Sequence, residues 1–223
     1  MDELPETFTV AVTSGVTLTR WTRAWQERQR RIPLAFLPTD AASQVSVLHR
    51  RLADVSFVRL PIDRAGLSVI PLYDEVPVVI VPTGHPISMF ESVTVADLAG
   101  DGRVDAGLAA ADAVELVAAG GGILILPQSI ARLHGRKDVV ARPVTDAPVT
   151  SIALAWVAER TTPQIDEFVG IVRGRTAASS RSAAPTNTPP PKSTLTKSER
   201  PSRAPAPKTR ASQRARSRKS RGR

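Results

Sequence analysis

Asp112-Ala113-Val114-Glu115-Leu116-Val117-Ala118-Ala119-Gly120-Gly121-Gly122-Ile123-Leu124-Ile125-Leu126-Pro127-Gln128-Ser129 reads as a helix halted by a glycine run, a short apolar strand, and a second helix starting at Pro127. Three consecutive glycines would unravel a helix interior. One of them can take the left-handed position just past a helix end, and the others let a strand begin close against a neighbouring backbone. Ile123 to Leu126 is uniformly apolar, which predicts a central strand of a parallel sheet covered on both faces.

Upstream, Phe8-Thr9-Val10-Ala11-Val12 predicts a buried strand, and Thr13-Ser14-Gly15 ends it with a cap-like loop. Leu18, Trp21 and Trp25 then recur at helical spacing among arginines and Glu27, the pattern of an amphipathic helix whose tryptophans pack inward. Ile32 to Leu37 is a second strand. Pro38-Thr39-Asp40 caps another helix with Ala41, Val45, Leu48 and Leu52 as its buried stripe, and Asp54 to Leu60 is a third strand. This β-α-β-α-β order with short connections favours a parallel sheet. Beyond Pro61, the runs Leu67 to Leu72 and Val76 to Val81 leave only Tyr73-Asp74-Glu75 between them, too little for a helix, so the chain is expected to cross into a second lobe near Pro82. Thr94 to Leu98 reads as one short helix, Val139 to Pro143 and Ile152 to Val157 as extended segments. Thr162-Pro163 opens a final helix with Ile165, Phe168, Val169 and Val172 on one face, ending at Gly174.

Charge divides the chain as sharply as pattern does. Residues 1 to 175 hold 17 Lys and Arg against 20 Asp and Glu, a net of −3, whereas residues 176 to 223 hold 13 against Glu199 alone, a net of +12. The pI near 11.0 therefore describes a tail and not the domain. Leu195 is the only large apolar residue from Thr176 onward, which predicts a disordered segment over 176–223. Within it Lys208, Arg210, Arg214, Arg216, Arg218, Lys219, Arg221 and Arg223 stand without an acid or an aromatic, a composition suited to phosphate contacts and not to base stacking.

The absence of cysteine excludes disulfides and thiolate chemistry, and three widely spaced histidines argue against a metal site. No nucleophile elbow, phosphate loop or dinucleotide fingerprint occurs, and Gly120 to Gly122 follow a helix, the wrong order for such a fingerprint. Neither an enzyme nor a cofactor is expected. The acidic start Met1 to Glu6 does not read as a secretory signal and no apolar run is long enough for a membrane span, so a cytoplasmic protein is expected.

Six stretches in order resemble the effector-binding (substrate-binding) domain of LysR-type transcriptional regulators. They are Phe8 to Val12; Leu52 to Val58 with Leu60-Pro61; Leu72 with Glu75 to Pro82 and His85-Pro86; Val93 with Ala96 to Ala99; Val117 to Ile123 with Leu126-Pro127; and Leu154 to Trp156. The resemblance implies an α/β, two-lobed fold like the type 2 periplasmic binding proteins. The domain would span residues 1–175, with lobe I at about 7–81 and 145–175 and lobe II at about 82–144. That family places a further strand and helix where this sequence has only Gly100 to Ala111, so a shortened second lobe is expected. It also carries an N-terminal helix-turn-helix, where here Met1 leads within a few residues into the first strand, so a stand-alone domain without operator reading is expected.

By position, the resemblance nominates Thr13, Ser14, Gly15, Thr39, Arg59, Pro82, Thr83 and Gln128 for the ligand, with Asp40 as a cap. Helix N-termini and Arg59 would favour an anionic effector. His85 reads as a turn residue, His49 and His134 as surface. Expected partners are a small-molecule effector, nucleic acid through the tail, and a second copy or a LysR-type regulator. The alternative is a nucleic-acid-associated assembly protein that has lost its ligand.

Overall fold

The computed structural model describes residues 7–105 and 107–174, and the 176–223 segment with its nominated basic residues lies outside them. The first lobe is a five-stranded sheet built from β1 (Phe8–Thr13), β2 (Leu34–Thr39), β3 (Val55–Arg59), β4 (Leu67–Glu75) and β8 (Thr150–Val157), in the order β2-β1-β3-β8-β4. β1 is parallel to both β2 and β3, as the β-α-β-α-β rhythm predicts. β8 returns antiparallel between β3 and β4, so the full sheet is mixed.

Each face of this sheet is covered. On one face α1 (Thr19–Arg28) and α5 (Pro163–Val172) pack over Phe8, Val10, Val55, Phe57 and Leu154. Trp25 is fully buried there, stacks on Phe8 with centroids 4.7 Å apart, and donates from Nε1 to the Ile32 carbonyl at 2.8 Å, so its one polar atom is satisfied. Trp21 stacks on Phe57 at 4.7 Å, which makes both tryptophans core. α5 starts as predicted: Thr162 Oγ1 accepts from the Ile165 amide, with Pro163 in the first turn. The other face holds α2 (Ser46–His49), which is only four residues long. The helix expected from Ala41 to Leu52 is mostly turns. Val47 and Leu48 are its buried residues while Leu52 is 46% exposed, because Asp40 and Ser43 bond one another and hold a turn that shifts the phase of the apolar residues.

The second lobe is a three-stranded antiparallel sheet, β6-β5-β7, formed by β5 (Pro77–Pro82), β6 (Leu124–Pro127) and β7 (Val139–Pro143). α3 (Ala110–Ala118) and α4 (Gln128–Leu133) complete it. Two expectations change here. Tyr73-Asp74-Glu75 is not a break, since these residues pair with β8, and β5 already belongs to the second sheet. The crossing therefore falls at Val76 and not near Pro82. The strand of the glycine module is an edge strand antiparallel to β5, not the centre of a parallel sheet. It is nonetheless apolar on both sides: Leu124 and Leu126 face α3, while Ile123 and Ile125 join Val79, Ile87, Val93 and Leu98. An all-apolar run reports cover on two faces and carries no information about strand direction.

The glycines act as their order suggests. Gly120 has φ +82° past the α3 end, the Gly120 amide bonds the Val117 carbonyl and the Gly121 amide bonds the Leu116 carbonyl, both at 2.9 Å. This is the paired closure of a Schellman ending. Gly122 then lies so close to the Gly102 carbonyl that a Cβ would collide with it, and the Ile123 amide donates to that same oxygen at 2.8 Å.

Candidate functional site

The strands of the first lobe deliver three loops to one edge. β1 ends at Thr13 and β2 at Thr39, register partners in the parallel pair, and β3 ends at Arg59. Opposite them stand the start of α3, the outer part of β6 and one side of α4. Between these walls lies a cleft of about 720 Å³, lined from the first lobe by Thr13, Ser14, Asp40 to Ala42 and Arg59. The second lobe contributes Gly107 to Ala111, the β6 residues Leu124 and Leu126, Ile130 of α4, and His134 just past the end of α4. The lining is mainly aliphatic. Its ionisable members are Asp40, Arg59 and His134.

Arg59 does not reach the cleft as a free cation. Its Nε donates to Glu75 Oε2 at 2.6 Å, and Nη2 donates to Glu75 Oε1 at 3.0 Å and to the Ser14 carbonyl at 2.9 Å. Glu75, the last residue of β4, is 5% exposed and also accepts from Ser129 Oγ at 2.5 Å and Thr150 Oγ1 at 2.9 Å. Four donors on two oxygens saturate the carboxylate. Burial pushes Glu75 up, but the hydrogen bonds from Arg59, Ser129 and Thr150, with the Arg59 charge, outweigh it and hold the carboxyl below its ordinary range. The network joins both lobes at the crossing, since Ser129 belongs to α4.

Gly15 adds a direct contact between the lobes. With φ +87° it sits where a Cβ would meet Ser129 Oγ at 2.7 Å and Ile130 Cδ1 at 3.1 Å. A side chain there would hold the loop after β1 away from α4.

The nominated residues divide accordingly. Thr13, Ser14 and Arg59 line the cleft, though Thr13 is almost fully buried. Gly15 packs against Ser129, Thr39 lies behind Asp40 with its Oγ1 buried and lacking a hydrogen-bond partner, and the Gln128 amide bonds the Val76 carbonyl at 2.8 Å. Pro82 and Thr83 are elsewhere. β5 runs outward from the crossing, so Pro82 pairs with Val139 and Thr83 bonds Asp138, about 16 Å along the strand from Pro77.

Asp40 closes a turn and does not cap a helix, since Val45 precedes α2: its carboxylate accepts from the Ser43 hydroxyl and amide, and these bonds hold it below the usual range. His85 is a turn residue, taking the Ile87 amide on Nδ1 and facing Asp101 through Nε2. His134 belongs to the cleft and not to the outer surface. Glu75, Ser129 and Thr150 escape sequence reasoning because each meets the others only through the fold.

A five-stranded lobe, a smaller three-stranded lobe, two chain crossings between them and a cleft at that junction define a two-lobed ligand-binding domain. The model of the LysR substrate binding domain matches residues 2–104 and 110–177, and the chain belongs to that family, a LysR-type effector-binding regulatory domain. The interruption in the match lies within Gly100 to Ala111, where the sequence is expected to be short.

Among solved structures, the BenM effector binding domain with its effector benzoate is similar at a TM-score of 0.66 and 18% identity, over 83% of this chain and 98% of that one. The reduced OxyR regulatory domain from Pseudomonas aeruginosa is similar at 0.61 and 19%, over 77% and 96%. Full-length CbnR complexed with its target DNA is similar at 0.63 and 18%, over 75% and 70%. At these identities the likeness is one of fold. No curated protein matches the chain. No helix among the described residues is long and apolar enough to cross a membrane.

Proposed function

We propose that this domain senses a small molecule in the interlobe cleft and acts in transcription regulation, with the basic 176–223 segment holding the protein on nucleic acid. The cleft carries the reading. Its volume of about 720 Å³ suits a small organic ligand, and both lobes supply its walls, so an occupant would bear on their relative position. Membership of the LysR family and its structural relatives, one solved with benzoate and one with target DNA, support the same assignment. Ser14, Arg59 and Thr13 are the first-lobe residues proposed at the ligand, with Gly15, Thr39 and Gln128 supporting the walls. The domain would pass the signal on by pairing with a second copy or with a LysR-type regulator.

A thermal-shift screen of small organic molecules tests the sensor reading, with Ala111→Trp as the control. Ala111 is exposed on the cleft wall in the first turn of α3, so the indole should fill the cleft and abolish ligand-induced shifts while leaving the unliganded melting temperature nearly unchanged. A screen in which nothing raises the melting temperature favours the assembly reading instead.

The tail reading rests on composition alone. If about six of its charges engage phosphates, affinity for DNA or RNA should fall by about 10³ between 50 and 200 mM salt. Deleting 176–223 should remove retention on both at low salt, and unchanged retention would defeat the proposal.

A further inference from the structure

Deepening the sensor reading, on which it rests, we infer that the cleft selects an uncharged, mainly apolar ligand and discriminates against a carboxylate, because the cation on its wall is already held by an internal one. Arg59 is the residue that position nominates for an effector carboxylate, yet Glu75 accepts from its Nε and Nη2 and the Ser14 carbonyl accepts from Nη2 as well, so three of its five N–H groups are engaged. An incoming anion could take the Nε and Nη2 edge only by stranding Glu75, and at Nη1 it would meet a guanidinium whose charge Glu75 already pairs. That carboxylate is buried and held additionally by Ser129 and Thr150, so it cannot follow the arginine or turn to water.

The remaining charges point the same way. The Arg59–Glu75 pair is neutral as a unit, and Asp40 at the first-lobe wall is an ionised carboxylate held by Ser43. Among the described residues, no Lys or Arg other than Arg59 lines the cleft. The start of α3 presents its first turn to the cleft, and its free amides would draw an anion, but Asp112 sits within that turn and no side chain caps it. Those amides are free to bond a neutral carbonyl or hydroxyl head. The rest of the contact, from Leu108, Leu124, Leu126 and Ile130, asks for hydrocarbon.

The discriminating probes are matched acid and primary-amide pairs on benzene, cyclohexane and hexane skeletons. They are titrated at pH 7.5 into the full chain by calorimetry, with thermal shift in parallel. The amide of any pair that binds should be at least about fivefold tighter than its acid, the size expected for one uncompensated negative charge several ångströms away in a partly solvated cleft. A carboxylate that binds as tightly as its amide, or tighter, overturns the inference while leaving the sensor reading intact. Silence from all pairs, with the wider screen also silent, removes the sensor reading and this inference together.

Glu75→Gln gives the converse: it removes the charge that pairs Arg59, and acid binding should strengthen about fivefold or more relative to amide binding. Preference unchanged in a folded Glu75→Gln protein would show that Glu75 does not set it, and would overturn the assignment. Where that variant fails to fold, Asp40→Asn supplies the second measurement. Removing this exposed charge should narrow the amide-over-acid ratio, and an acid that gains nothing counts against the electrostatic account.

Discussion

The two lobes solve the same packing problem with different materials. The first buries aromatic rings: Phe8, Trp25 and Phe168 form a contiguous group, Phe57 joins Phe168 from the sheet, and Trp21 stacks on Phe57. Among the described residues, the second has no aromatic residue in either of its core clusters, which are built from Val, Leu, Ile and Ala around β5. Large rings bury more area per ordered residue, so a sheet of five strands with an aromatic core can act as a fixed platform. A lobe of three strands depends instead on close backbone approach, which is what Gly122 against Gly102 provides. The cleft is therefore walled by an aromatic-cored sheet on one side and an aliphatic-cored one on the other.

The contrast is broken most severely at its aromatic centre. Trp25→Ala should destabilise the protein by about 4 kcal/mol, since it removes a fully buried ring and leaves the Ile32 carbonyl without its donor. At about 2 to 4 °C per kcal/mol for a chain of this size, the melting temperature should fall by roughly 8 to 16 °C. Denaturant titration followed by circular dichroism measures it, and a loss below about 1 kcal/mol would mean that the aromatic group is not the platform. The junction comes next. Glu75→Ala should cost about 3 kcal/mol because Arg59, itself largely buried, keeps its charge and loses its partner. Replacing both residues by apolar ones should cost less than either single change if the penalty comes from the unpaired charge, which a double-mutant cycle reads directly.

In the second lobe the glycines should separate by geometry. Gly122→Ala should cost about 2 kcal/mol, combining φ +130° with a Cβ driven into the Gly102 carbonyl, whereas Gly120→Ala meets open space and should cost about 1 kcal/mol for its left-handed backbone alone. Equal effects would show that the approach to Gly102 is unimportant. Hydrogen exchange sharpens the comparison between lobes: amides of β6 should open at lower free energy than those of β1 and β3, where the aromatic core closes over the sheet.

How much of this was legible depended on whether the signal was local. The cap at Thr162-Pro163, the inward tryptophans and the glycine ending of α3 were readable because each is decided within a few residues. Strand direction was not: Ile123 to Leu126 is apolar on both faces in either orientation, and only its pairing with β5 decides. The helix after Asp40 failed because the apolar spacing that suggested it is interrupted by the Asp40–Ser43 turn. At the site, Ser14 and Arg59 were found by position in the fold family. Glu75, which changes what Arg59 can do, was hidden in a stretch taken for a break between strands, and no spacing relates it to Ser129 or Thr150.

The smallest expected effect is a change in slope and not in level. Glu75 is held below its ordinary value of 4.5, so the folded protein keeps this carboxylate ionised at pH values where the unfolded chain has begun to protonate it. The sign follows from linkage: its contribution is fully present above about pH 4.5 and is lost as pH falls through the lower, folded value. The stability difference between wild type and Glu75→Gln should therefore be largest at neutral pH and shrink on acidification below that point, which paired urea titrations from pH 7 to pH 3 would follow. Asp40 and Asp97 are also depressed but lie exposed in local turns, so their substitution should leave the acid limb nearly parallel to wild type. A Glu75→Gln curve that stays parallel as well would place the acid sensitivity outside the junction, and with it the claim that the two lobes are joined through a buried charge.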